Sequence, residues 1–188
     1  MQDIEPFYNW RHLYISEEDE HSPFFGRQHD EFAYSNTIYN YFIHPQWDDF
    51  GSANLYLKIL YSDYEFAFAI IELIGEWNDC IENDIMTLKR EVIDYLIAKG
   101  VTKFVLITEN VLNFHSSDDC YYEEWRDDII DNGGWIVALN MPVHTALEFK
   151  KARLDNYVFL LENDNWRTFQ PMHLFQHIDN TILRAIEG

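Results

Sequence analysis

Cationic side chains are scarce in this sequence: 13 Lys and Arg stand against 33 Asp and Glu, for a formal net charge of −20 over 188 residues. Such a chain has no positive footprint for phosphate backbones or anionic headgroups, which argues against nucleic-acid binding and attraction to a membrane surface. A basic protein partner, a metal ion or simple solubility are left. Cysteine is nearly absent too: Cys80 and Cys120 are the only two, too few for a disulfide framework and in keeping with a reducing cytoplasm. No window reaches the roughly 18 apolar residues of a membrane helix, and Met1–Pro6 carries neither the basic nor the apolar region of a signal peptide. The seven glycines are dispersed, so there is no Gly-rich phosphate loop and no Gly-x-Ser-x-Gly elbow. Nothing in the sequence calls for a cofactor.

Hydrophobic and aromatic residues are plentiful, at 47% and 17%. A disordered acidic chain would lack them, and the length suits one domain with some extra material. Residues 1–50 hold ten acidic residues against Arg11 and Arg27. Ser16–Glu20 reads as a short capped helix or a solvated acidic loop, and Tyr34–Ile43 as a strand that His44-Pro45 ends. We read residues 1–50 as an aromatic-anchored extension and residues 51–188 as the domain proper.

Within the domain, Leu55–Tyr61 and Phe66–Ile74 read as an antiparallel hairpin turning at Ser62-Asp63-Tyr64. A helix follows, with Asn78 or Asp79 as cap and Glu82 in the capping-box position. Its stripe is Ile81, Ile85, Leu88, Val92 and Leu96, widened by Met86, Ile93 and Ile97, and Gly100 supplies the C′ residue. Lys103–Thr108 is the next strand, and Glu109–Phe114 a connection. A helix starting near Ser116 or Ser117 carries Tyr121, Trp125 and Ile129 at spacing four and stops at Gly133-Gly134. Trp135–Leu139 and Tyr157–Leu161 are strands around a helix from Pro142 to Arg153. Pro171 opens a last helix with Leu174, Phe175, Ile178, Ile182 and Ile186 inward. The fold class expected is α/β, a mixed, mostly parallel sheet with helical crossovers.

This order across residues 55–187 resembles the STAS domain, the fold of bacterial anti-sigma-factor antagonists. Leu73-Ile74-Gly75-Glu76-Trp77-Asn78 is similar to that family's strand ending in Gly-Glu-Leu-Asp, and Val143–Leu161 to its helix, turn and final strand. Asn113-Phe114-His115-Ser116-Ser117-Asp118 stands where the family has Phe-x-Asp-Ser-Ser-Gly. The resemblance implies a non-catalytic regulatory module that binds other proteins, with Ser116 as a regulatory phosphoacceptor. His115 and Asp118 replace the family's Asp and Gly. The residues favour a plainer reading, Ser116 or Ser117 as an N-cap, because Asp118 and Asp119 would repel a phosphate placed beside them.

Other groups carry chemistry of their own. Glu109–Asp131 holds eight acids and one base, Arg126. It reads as the solvated face of a helix or as an acidic docking surface for a basic partner, with His115, Ser117, Asp118, Asp119, Glu123 and Glu124 at its heart. Cys80 and Cys120 are both placed in the first turn of a helix. In a parallel sheet these starts share the edge at the carboxyl ends of the strands, where Trp77, Asp79, His115 and His144 also gather. That edge would serve a small-molecule binder or a Cys/His enzyme, although buried, inert thiols are the expected state. His173 and His177 lie four apart, but with no third ligand they read as exposed flank residues and no metal site is assigned. The expectation is a non-enzymatic interaction module, with a homodimer through the aromatic extension as one arrangement of the partner surface.

Overall fold

The computed structural model describes residues 2–30, 32–34 and 36–188, and for Gln2 and Asp3 the backbone alone. The hairpin read from Leu55 onward forms the edge of a five-stranded sheet. Strands β4 (Leu55–Asp63) and β5 (Phe68–Asn78) pair antiparallel from Leu55↔Gly75 to Asp63↔Phe68. Asp63 Oδ1 accepts the N–H groups of Glu65 and Phe66, which closes the turn. Strands β6 (Lys103–His115), β7 (Trp135–Leu139) and β8 (Phe159–Leu161) then add in parallel, in the order β4-β5-β6-β7-β8. The expected mixed, mostly parallel α/β sheet is what the chain forms.

The central strands are apolar at most positions because both faces are covered. One face (Leu57, Ile59, Ile71, Leu73, Phe104, Leu106, Ile136) packs on the helices between β5 and β8. Those are α1 (Asp84–Leu88), a π-helical turn at Lys89–Ile93, α2 (Asp94–Ala98), α3 (Cys120–Ile130) and α4 (Val143–Lys151). The other face (Phe68, Ile70, Val105, Ile107, Val137) packs on Trp10, Trp166 and α5 (Pro171–Glu187). As expected, Leu174, Phe175, Ile178 and Ile182 of α5 are buried, whereas Ile186 is exposed. Gly100 ends α2 as expected, with φ +96° and the N–H of Val101 bonded back to Leu96.

Residues 2–50 wrap this sandwich. Trp10 joins the α5 side and Phe24 the other. The stretch expected as one strand over Tyr34–Ile43 is instead a hairpin, β2 (Thr37–Ile38) and β3 (Tyr41–Ile43), with Tyr39 in the left-handed region at φ 53°; Ser35 lies outside the described residues. Strand β1 (Gln2–Ile4) pairs parallel with β3. Asp48 forms a two-bond bridge with Leu57, on the outer edge of β4.

Two boundaries differ from expectation for one reason. Strand β6 runs to His115 and not to Thr108, because Ile74–Asn78 of β5 stays extended and pairs with Asn110–His115 across two register shifts. The bulges break the alternation that the sequence pattern relied on. The first helix starts at Asp84, four or five residues later than a cap at Asp79 or Asn78 would give, so Ile81 is outside it and 79% exposed.

Candidate functional site

The strand-end edge is built by the extended ends of β5 and β6 and the loop that follows. Ser116, Ser117, Asp118 and Asp119 form that loop and are exposed, as is His115. Helix α3 begins at Cys120 behind Asp119, which makes no side-chain cap bond; the side chain that meets its first turn is Asp118, whose Oδ1 accepts the Cys120 N–H at 3.1 Å. Neither serine is the N-cap, which corrects the favoured sequence reading. The helix starts four residues beyond Ser116 because β6 carries the chain further before it turns.

Ser116 lines an open cleft of about 420 Å³ together with Glu76, Cys80, Ile81, His115 and Glu148. Its polar wall is tied across strands. His115 Nε2 lies 3.4 Å from Glu76 Oε1 and 3.1 Å from Asn113 Nδ2, and the Tyr39 hydroxyl donates to Glu76 Oε2 at 2.6 Å. Ile81 lines the cleft and is 79% exposed; α4, which supplies the cleft residue Glu148, also exposes Val143 and Leu147, 75% and 61% exposed and one helical turn apart. Sequence patterning missed all three, since each had been read as core or passed over.

The cysteines are not buried. Both thiols are exposed. Cys80 belongs to the turn ahead of α1 rather than to its first turn, while Cys120 opens α3. A hydrogen bond to Asp118, and then that residue's charge, push the Cys120 thiol up, the reverse of what activates a nucleophile. The edge brings Cys80 and His115 into one cleft but leaves Cys120 and His144 out of its lining. His144 Nε2 instead lies 2.8 Å from the Leu112 carbonyl.

Trp77 and Asp79 are structural. Asp79 is 3% exposed and accepts from Trp77 Nε1 (2.8 Å), the Ile85 N–H (2.8 Å) and the Tyr122 hydroxyl (2.5 Å). It therefore does satisfy the first turn of α1, from a turn upstream. Burial pushes its carboxyl up to about 6, against the pull of those three donors. Asp84 stands next to it, fully buried, accepting from Ser52 and from the Asn78 N–H.

The acidic helix is less charged outward than its composition suggests. Glu124 accepts from Arg90 at 2.9 Å, and Asp128 from Lys89 at 2.8 Å. Lys89 is fully buried in the π-helical turn and also meets Asp94. Glu123, Asp127 and Asp131 stay exposed. His173 and His177 are exposed flank residues, as read from the sequence.

A carboxylate cluster that the sequence gave no sign of lies elsewhere. Glu17, His29 and Asp48 offer ligand atoms within 4.8 Å of one another. His29 Nδ1 lies 2.9 Å from Glu17 and its Nε2 2.7 Å from Asp48, so each ring nitrogen already faces a carboxylate. The bonds to Asp48 and Glu17 raise the imidazole's pKa accordingly. Lys58 meets both acids and Arg27 lies 3.3 Å from Asp48, so side-chain cations already fill the place of an ion.

Solved structures with a similar fold include those of SpoIIAA. The anti-sigma factor antagonist SpoIIAA in its unphosphorylated form is similar with a TM-score of 0.48 and 11% identity, over 66% of this chain and 96% of that one. The Bacillus cell fate determinant SpoIIAA in the phosphorylated form gives 0.43 and 11%, over 65% and 98%. No protein-family model matches the chain, nor does any curated protein. Among the described residues, no helix is long and apolar enough to cross a membrane.

Proposed function

We propose that this protein is a non-enzymatic regulatory module that binds another protein through the strand-end edge, with residues 1–50 as an extension of the domain. One observation carries the reading: the exposed Ser116 and Ile81 share one cleft with the acids Glu76 and Glu148, next to a helix, α4, that exposes Val143 and Leu147 and a loop that exposes Asp118 and Asp119. Apolar anchors within an acidic rim suit a basic partner, with charge setting the rate of encounter and burial of the anchors the lifetime. Ser116 is the regulatory hydroxyl of this reading. It is exposed and clear of the helix cap, so a phosphate there would add charge at the centre of the surface without unfolding α3.

The test is affinity capture from the native host with the wild-type chain and with Ser116→Ala, Ser116→Asp and Leu147→Asp. A partner retained by Ser116→Ala, bound more tightly by Ser116→Asp, lost with Leu147→Asp, and weakened by salt is the expected result. Captured proteins indifferent to all three changes would end this reading. The same cleft supports a second reading, a small-molecule site, because Cys80 and His115 share its wall; ligand binding lost in Cys80→Ser and kept in Leu147→Asp would select it. A homodimer through residues 1–50 is checked by light scattering.

A further inference from the structure

Glu72 lies in the middle of β5, on the face covered by α5, and is 2% exposed. A buried carboxylate is costly unless donors reach it. Its Oε2 accepts the backbone N–H of Phe7 at 2.8 Å, and no second donor from a described residue supports it. Glu72 opens onto a cleft of about 320 Å³, lined also by Ile4, Glu5, Phe7, Asn110 and Arg167. Arg167 does not balance it. Its guanidinium is committed to Glu109, at 2.6 Å to Oε2 and 3.3 Å to Oε1, and lies over the Trp166 ring. With that pair set aside, the cleft holds two acids, Glu5 and Glu72, and no uncommitted cation among its described lining residues.

We propose that this cleft binds a small organic cation, a protonated primary alkylamine whose ammonium bonds to Glu72 and to the side-chain carbonyl of Asn110. An ammonium offers three donors. The Asn110 amide takes part in no hydrogen bond with another described side chain, and the Phe7 ring gives the alkyl stem an apolar wall. The cleft's volume is at the lower end of the roughly 300–1,000 Å³ typical of small-molecule sites. A hard divalent metal ion would want six or more oxygen ligands or several retained waters, which one carboxylate and one amide do not supply. The net charge of −20 concentrates cations near the molecule, and the cleft adds selectivity to that general attraction.

Protonation behaviour agrees with the geometry. Burial pushes the Glu72 carboxyl up to about 7; the Glu109 charge adds to this, and the Phe7 N–H and Arg167 oppose it. Two further ionisable groups, Glu5 and Tyr8, stand on the N-terminal wall, and Glu5 faces His44 at 3.4 Å. An arriving ammonium favours the ionised carboxylate, so binding expels a proton from Glu72 and strengthens as pH rises.

Titration of the full chain with n-butylammonium chloride, followed by backbone amide NMR at fixed ionic strength, tests the site. The expected result is saturable shifts at Phe7, Tyr8 and Asn110, with affinity about tenfold weaker at pH 6 than at pH 8. Glu72→Gln keeps an acceptor for the Phe7 N–H and so the fold, and should weaken binding at least tenfold, whereas Glu82→Gln on the surface should not. Tetramethylammonium, which has the charge but no N–H, should not compete. Equal binding by Glu72→Gln, competition by tetramethylammonium, or no saturable shift would each overturn the proposal.

Discussion

The hydroxyl of Tyr122 lies 2.5 Å from Asp79 Oδ2, and both side chains are buried where α3 meets the end of β5. This contact joins the strand-end edge to the core, since Asp79 also holds Trp77 and the first turn of α1.

Removing the hydroxyl with Tyr122→Phe leaves the buried carboxylate one donor short. Urea unfolding at pH 8 should show a loss of about 1–3 kcal/mol. The loss should shrink at pH 5, where Asp79 is protonated.

Stability should fall as pH rises from about 4 to 7. Asp79 is raised from 3.8 to about 6 and Glu72 from 4.5 to about 7, so the folded chain holds protons that the unfolded chain has already released. Each contributes on the order of 3 kcal/mol of stability that is lost across its own window. His29, also raised, acts in the same direction at higher pH. On the acid side the lowered Glu17, Asp94 and Glu109 lose their contribution as pH falls through their folded values. Denaturation across pH should give a maximum near about pH 4. Asp79→Asn should flatten the slope between about 4 and 6, and Glu72→Gln that between about 4.5 and 7.

Gly75→Ala should cost about 3 kcal/mol or more. Gly75 has φ +122°, and a Cβ there would lie 2.0 Å from the Asn54 carbonyl oxygen. A melting temperature within a degree or two of wild type would contradict this close approach.

Iodoacetamide should modify both thiols of the native protein, Cys80 faster than Cys120, because Asp118 holds the Cys120 thiol in its protonated form. Asp118→Asn should narrow the gap, with peptide mass spectrometry as the readout.

The sequence pattern located the sheet and its crossovers because the central strands are short apolar runs bounded by Gly, Asn and Pro. Trp135–Leu139 was placed to the residue. The pattern failed where polar residues continue a strand: Glu109, Asn110 and Asn113 looked like a loop yet pair with β5. That error displaced the next helix start and with it the role of Ser116. Tyr122 was hidden for a related reason. The spacing Tyr121, Trp125, Ile129 fits a helix stripe, but it is Tyr122 that is fully buried, bonded to an aspartate that looked like a cap. The Glu72 and His29 sites join residues 65 and 19 positions apart to their partners, beyond any local pattern.

The bridge from Asp48 to Leu57 has a consequence for the chain in the company of its own copies. Strand β4 is nine residues long and stands at the margin of the sheet, where free N–H and C=O groups invite another molecule to add a strand. Asp48 occupies two of those groups, at Leu57 near the strand's start, and the charged cluster around His29 holds it in place. The buried ion pairs of residues 17–58 thus act as a guard against aggregation, and loosening them would first be felt as stickiness rather than as unfolding.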